Sequence, residues 1–107
     1  MKAERLNTRT PTVIYTSGKI IKLQKRPLKL QQIKDIIGND INPLDLGLWA
    51  KNPKYEGIAI ISDKEGIKRY KQPNTEASEL IRDIIGPNAP NLFGPIIIMP
   101  LSLFKQA

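Results

Sequence analysis

Neither cysteine nor histidine occurs among the 107 residues of this chain. Without cysteine there are no disulfides and no thiolate metal sites. Without histidine the commonest general base and the commonest metal ligand are gone. No Ser-His or Cys-His nucleophile can be assembled, and zinc chemistry is not expected. Aromatic residues are scarce, at 6%. With Tyr15 alone near the basic segment described below, and Tyr70 elsewhere, specific single-strand recognition by base stacking lacks its platforms. No apolar run approaches the roughly 20 residues that span a bilayer. Met1-Lys2-Ala3-Glu4-Arg5-Leu6-Asn7 lacks the apolar core of a secretory signal, so an intracellular location is expected. Gly-rich phosphate loops and helix-turn-helix spacing are also missing.

What is present is an ordinary globular composition, 40% hydrophobic and 25% charged, at a length that suits one domain. Residues 1–11 read as a flexible arm and 12–107 as a single α+β domain. The formal net charge is +7. Residues 1–35 hold nine basic side chains (Lys2, Arg5, Arg9, Lys19, Lys22, Lys25, Arg26, Lys29, Lys34) against Glu4 and Asp35, a surplus of seven. Beyond them eight basic and eight acidic residues cancel. A patch of one sign can hold a polyanion or an acidic protein face by long-range attraction; it can equally be a solvated face that keeps a small protein dispersed.

Residues 12–16 and 19–23 are β-branched runs flanking Ser17-Gly18, the signal for a tight hairpin. A first helix is expected over about Leu28 to Ile37, with Leu30, Ile33, Ile36 and Ile37 on one face and Gly38 as a left-handed stop. Lys29 is a poor residue for its N-cap. The stretch Asn39 to Glu56 is broken by Pro43, Gly47 and Pro53, with one short strand between Asp40 and Leu46 held to a sheet edge by Pro43. Ile58-Ala59-Ile60-Ile61 is apolar on successive residues, which implies a central strand buried on both faces. Asp63-Lys64-Glu65-Gly66 then turns the chain into Ile67-Lys68-Arg69-Tyr70, whose alternation suits a half-exposed partner strand. Asn74 caps a second helix with the stripe Ala77, Leu80, Ile81, Ile84 and Ile85, stopped by Gly86-Pro87. Pro95 to Met99 forms a last strand, and Leu101, Leu103 and Phe104 an apolar tail that docks on the domain or on a partner. No internal repeat or linker is evident. The fold class expected is α+β, a mixed or antiparallel sheet of four to five strands with two helices, the second across one face, in an order of elements that allows a β-grasp-like arrangement.

Asp63 and Glu65 could be read as a carboxylate pair for acid/base work or a divalent metal. Carboxylates two apart before a Gly are also what a polar turn ordinarily contains, and the five or more oxygen ligands of a calcium loop are missing. Asn74, with Thr75, Glu76 and Ser78, could line an anion site at a helix N-terminus, yet capping explains the same residues. An enzymatic reading would rest on Asp63, Glu65 and Asn74; the favoured expectation is no catalytic residue, no metal and no cofactor. The one plausible interaction surface is the basic face Lys19, Lys22, Lys25, Arg26 and Lys29, which suits phosphates or acidic protein. A self-assembly interface would instead use Trp49, Leu101, Leu103 and Phe104.

The order of Leu30 to Gly38, Asp63-Lys64-Glu65-Gly66, Asn74-Thr75-Glu76-Ala77-Ser78 and Leu92-Phe93-Gly94-Pro95-Ile96 resembles a family of small uncharacterised domains encoded mostly by bacteriophages and large DNA viruses. There an N-terminal hairpin leads to a helix ending in Gly, an acid-Glu-Gly turn, an Asn-x-x-Ala-Thr helix opening and a final strand carrying Ile-x-Gly. The chain departs from that pattern at Asn39, where the family has a second Gly, and over residues 42–55, which are longer and more broken. The resemblance covers about residues 12–100 and implies a viral or phage origin and an accessory role, with no activity to carry over. The expectation is therefore a non-enzymatic accessory protein of the host cytoplasm. It would bind a host protein or the phosphate backbone of nucleic acid, without a membrane partner. The alternative is a structural protein that forms homo-oligomers through its tail.

Overall fold

The N-terminal hairpin opens the fold. β1 (Thr12–Ile14) pairs antiparallel with β2 (Ile20–Lys22), Val13 opposite Ile21. A computed structural model describes residues 9–105, so most of the expected arm, residues 1–8, lies outside the described residues. The ladder reaches back to Pro11, whose carbonyl accepts from Leu23 N–H at 2.8 Å. The hairpin loop is one residue longer than the Ser17-Gly18 signal suggests. Gly18 N–H donates to the Tyr15 carbonyl and Tyr15 N–H to the Lys19 carbonyl, both at 2.9 Å. Gly18, at φ 91°, is the bulge residue of a three-residue turn.

Next come β3 (Leu28–Lys29), α1 (Leu30–Ile37), β4 (Ile41–Asp45) and α2 (Leu46–Ala50). β5 (Ile58–Asp63), α3 (Gly66–Arg69), α4 (Thr75–Ile85), β6 (Ile96–Pro100) and β7 (Phe104–Lys105) complete the chain. Five strands form one sheet in the order β2-β1-β6-β5-β4, antiparallel at every pairing. The class is α+β. Among the described residues there are four helices rather than the two expected, and both faces of the sheet are covered. Ile14, Ile60, Ile96 and Ile98 pack with Leu46 of α2 and with Ala77, Leu80 and Ile81 of α4. Val13, Ala59, Ile61, Ile97 and Met99 pack on the other side with Ile33 and Ile37 of α1. Successive side chains of a strand point to opposite faces, so a strand between two helical layers must be apolar at every position. β5 and β6 are.

Helix α1 starts two residues later than its apolar spacing suggests because Leu28 and Lys29 pair in parallel with Phe104 and Lys105 of β7. Lys29 has no side chain able to cap; Gln32 Oε1 accepts its backbone N–H at 2.9 Å instead. Gly38 ends the helix at φ 137°, ψ 172°, an extended positive-φ conformation rather than the left-handed helical stop expected. Gly86 ends α4 in the same way, at φ 135°, ψ 169°. Both helices close on one pattern, Ile-Lys/Arg-Asp-Ile-Ile-Gly (residues 33–38 and 81–86), a short recurrence hidden by the different lengths of the two helices.

Two local expectations change. Ile67-Lys68-Arg69-Tyr70 is a helical turn, not a strand: the Glu65 carbonyl accepts from Lys68 and Arg69 N–H at 3.0 Å, and the Gly66 carbonyl from Tyr70 N–H at 2.9 Å. Asp63 Oδ1 takes Glu65 N–H at 2.8 Å and bends the chain off β5, while Gly66 seats against Phe93, whose carbonyl would lie 2.9 Å from a Cβ. Residues 46–50, read as irregular, form α2, capped by Asp45 Oδ1 on Leu48 N–H at 3.2 Å. β4 does lie at the sheet edge. Lys64 N–H donates to the Asp40 carbonyl, so by alternation Pro43 occupies a position whose missing N–H faces away from β5.

Candidate functional site

Of the five residues expected to form the basic face, Lys19 and Lys22 lie beside and in β2, the strand at the opposite edge of the sheet. Lys19, Lys22, Lys25, Arg26 and Lys29 are all exposed. Among the described residues, the salt bridges are Lys68 with Glu65 and Arg69 with Asp63, so none of the five is neutralised by a described carboxylate. They do not share one face. The ladder bonds of β1 with β2 fall at Pro11–Leu23 and Tyr15–Lys19, which places the intervening bonded pair at Val13–Ile21. Lys19, Ile21 and Leu23 therefore point to the α1 side, and Ile20 and Lys22 to the α4 side, Lys22 lying opposite Thr12. Lys25 and Arg26 follow in the loop, where Arg26 N–H donates to the Gln24 carbonyl at 2.9 Å. Lys29 stands at the start of α1.

The same alternation has a consequence for the main chain. β2 is the terminal strand of the sheet, and Ile20 and Lys22 turn their N–H and C=O groups away from β1. Beside this edge, on the α1 side, lies a groove of about 270 Å³ whose walls include Leu23, Leu28 and Ile36, with Gln24, Arg26 and Gln32 around it. Sequence reasoning finds the lysines but not the edge or the groove. The β-branched run at residues 19–23 marks a strand, yet its place at the rim of the sheet depends on β1 pairing with β6, 82 residues apart at Ile14 and Ile96.

The residues of the enzymatic reading are committed elsewhere. The Asp63 side chain is fully buried; Oδ1 accepts from Glu65 N–H and Oδ2 from Arg69 Nη1 at 2.9 Å. Glu65 is half-buried and pairs with Lys68 at 3.3 Å. Asn74, also fully buried, commits both of its side-chain N–H donors and its carbonyl oxygen within the fold. Its Nδ2 donates to the carbonyls of Ile14 (2.9 Å) and Gly94 (2.8 Å), and its Oδ1 accepts from Ala77 N–H (3.2 Å). Ser78 Oγ accepts from Leu92 N–H at 2.9 Å. Every buried side-chain nitrogen and oxygen among the described residues has a partner. No group of three or more described acidic residues is placed to hold a metal.

The candidate interface residues divide as well. Leu103 and Phe104 pack against the α1-side core, Trp49 packs against the α4-side core, and Leu101 is 38% exposed. Trp49 also borders a cleft of about 330 Å³ with Ile85, Pro87 and Pro90. A second cleft of about 330 Å³ lies beside Leu48, at 78% the most exposed large apolar side chain among the described residues, between Asp45 and Glu56. Its polar neighbours Asp45 and Asn52 already accept backbone N–H groups in turns. Among the described residues no helix is long and apolar enough to cross a membrane. Compared with protein-family models, curated proteins and solved structures, the chain matches none.

Proposed function

We propose that this protein is a non-enzymatic binding module that engages a polyanionic macromolecule through the basic residues around β2. The observation behind this reading is the group Lys19, Lys22, Lys25, Arg26 and Lys29: five exposed cations within eleven residues, none paired with a described carboxylate. Unpaired surface cations raise the local concentration of anionic partners and speed their capture. Structural roles for Asp63, Asn74 and Ser78 favour binding over catalysis, because a group spent on holding the fold is not free to exchange protons with a substrate. The motif resemblance supports a phage- or virus-encoded accessory protein that acts on a host protein or nucleic acid in the host cytoplasm. Self-assembly through the tail has less behind it, since Leu103 and Phe104 already pack on the protein's own core.

Retention on immobilised heparin over a salt series tests the proposal. A variant carrying Lys19→Glu, Lys22→Glu and Lys25→Glu should elute at clearly lower salt than one carrying Lys51→Glu, Lys54→Glu and Lys64→Glu, although both lose the same net charge. Equal elution would mean that overall charge, not this cluster of cations, governs attachment.

A further inference from the structure

We infer that the outer edge of β2, which no other described strand covers, is a docking site for an extended acidic peptide segment, added as a sixth strand to the sheet. The inference rests on the proposed binding by the cations around β2 and names their partner class. Three features meet there. Ile20 and Lys22 present main-chain donors and acceptors outward at the end of the sheet. An added strand would bond to them as β1 bonds to Ile21 on the inner side, which is how sheet edges capture peptides. Charge supplies the second feature: Lys19, Lys22, Lys25 and Arg26 surround this edge without a described carboxylate partner. A strand of alternating acidic and aliphatic residues would bring its acidic side chains to Lys22 on one side and its aliphatic ones to the groove side on the other. The third feature is the groove between β2 and α1, whose walls include Leu23, Leu28 and Ile36. At about 270 Å³ it has room for one aliphatic side chain of the incoming strand.

The two edges of the sheet differ in a way that bears on the choice. At β4 the outward position carries Pro43, which cannot donate, so that edge is closed to strand addition. At β2 no proline intervenes. Lysines beside a short edge strand also deter pairing with a second copy of the same chain, since like charges would be opposed. An acidic segment meets no such repulsion. Nucleic acid would use the lysines but neither the outward main-chain groups nor the apolar groove, and for that reason peptide is favoured.

The test uses a fluorescein-labelled peptide of alternating Glu and Val, a Glu-Pro peptide of equal charge and length, and a DNA duplex, each titrated into the intact protein and followed by anisotropy. The Glu-Val peptide should bind, and its addition should slow amide exchange at Ile20 and Lys22. Lys22→Pro removes an outward N–H that no β1 carbonyl uses; it should weaken the Glu-Val complex by about tenfold more than Lys22→Ala does. Equal binding of the Glu-Val and Glu-Pro peptides, with Ile20 and Lys22 amides unprotected, would overturn strand addition while leaving anion binding by the cations around β2. Tight binding of the duplex alone would assign the surface to nucleic acid and overturn the peptide inference. Binding of none of the three would end both this inference and the reading on which it rests. The exchange measurement on the wild-type protein decides the matter even if Lys22→Pro unfolds.

Discussion

Asn74 shows how a residue type associated with active sites can be wholly structural. Its amide joins the end of β1, the approach to β6 and the first turn of α4, three segments distant in sequence. Replacement by Ala would remove a cap worth about 1 kcal/mol and deprive the Ile14 and Gly94 carbonyls of a donor. Asn74→Ala should therefore cost about 2–4 kcal/mol in urea unfolding. Asn74→Asp, which keeps the acceptor but cannot donate, should not rescue it. A loss below about 0.5 kcal/mol would show that the network is dispensable. The cap is legible in the sequence from Asn74 and the apolar stripe that follows. The two donations are not, because their acceptors are backbone atoms 60 and 20 residues away.

At the scale of elements, success in reading the chain followed the strength of the local signal. α4 has a cap, a stripe and a terminating Gly, and spans Thr75–Ile85 much as the spacing predicts. α3 offers only four residues of ambiguous alternation, so its conformation is set by Asp63 and by the close approach of Gly66 to Phe93. The C-terminal tail belongs to the same class. Apolar spacing marks Leu101, Leu103 and Phe104 as buried somewhere; only the structure shows Phe104 beside Leu28 in a parallel pair. Phe104 is partly buried, so Phe104→Ala should cost about half the full-burial figure, or about 2 kcal/mol, with unchanged sedimentation. A changed sedimentation coefficient at unaltered stability would instead point to the self-assembly reading.

For the molecule as a whole, the order β2-β1-β6-β5-β4 puts the last long strand at the centre and the first hairpin at the rim. Opening free energies should follow that order. Native-state hydrogen exchange is expected to find Ile60, Ile97 and Ile98 protected near the global limit and Ile20 and Lys22 exchanging fast in the free protein. Strong protection at Ile20 and Lys22 without any ligand would mean that the edge is already covered. The charge asymmetry adds to this geometry, because the surplus of seven in residues 1–35 includes the five cations around that rim strand.

Composition, periodicity and local caps determined the chemistry excluded, the α+β class, the α4 helix, the central character of β5, and the basic third of the chain. Each depends on residues within a few positions of one another, where sterics, capping bonds and side-chain period act directly. Tertiary structure decided which strands are neighbours, that helices cover both faces, that Asp63 and Asn74 are bonded within the fold, and that β2 ends the sheet beside a groove. Those outcomes come from pairing distant segments, whose free energy is shared across the whole core and is not written at any one site.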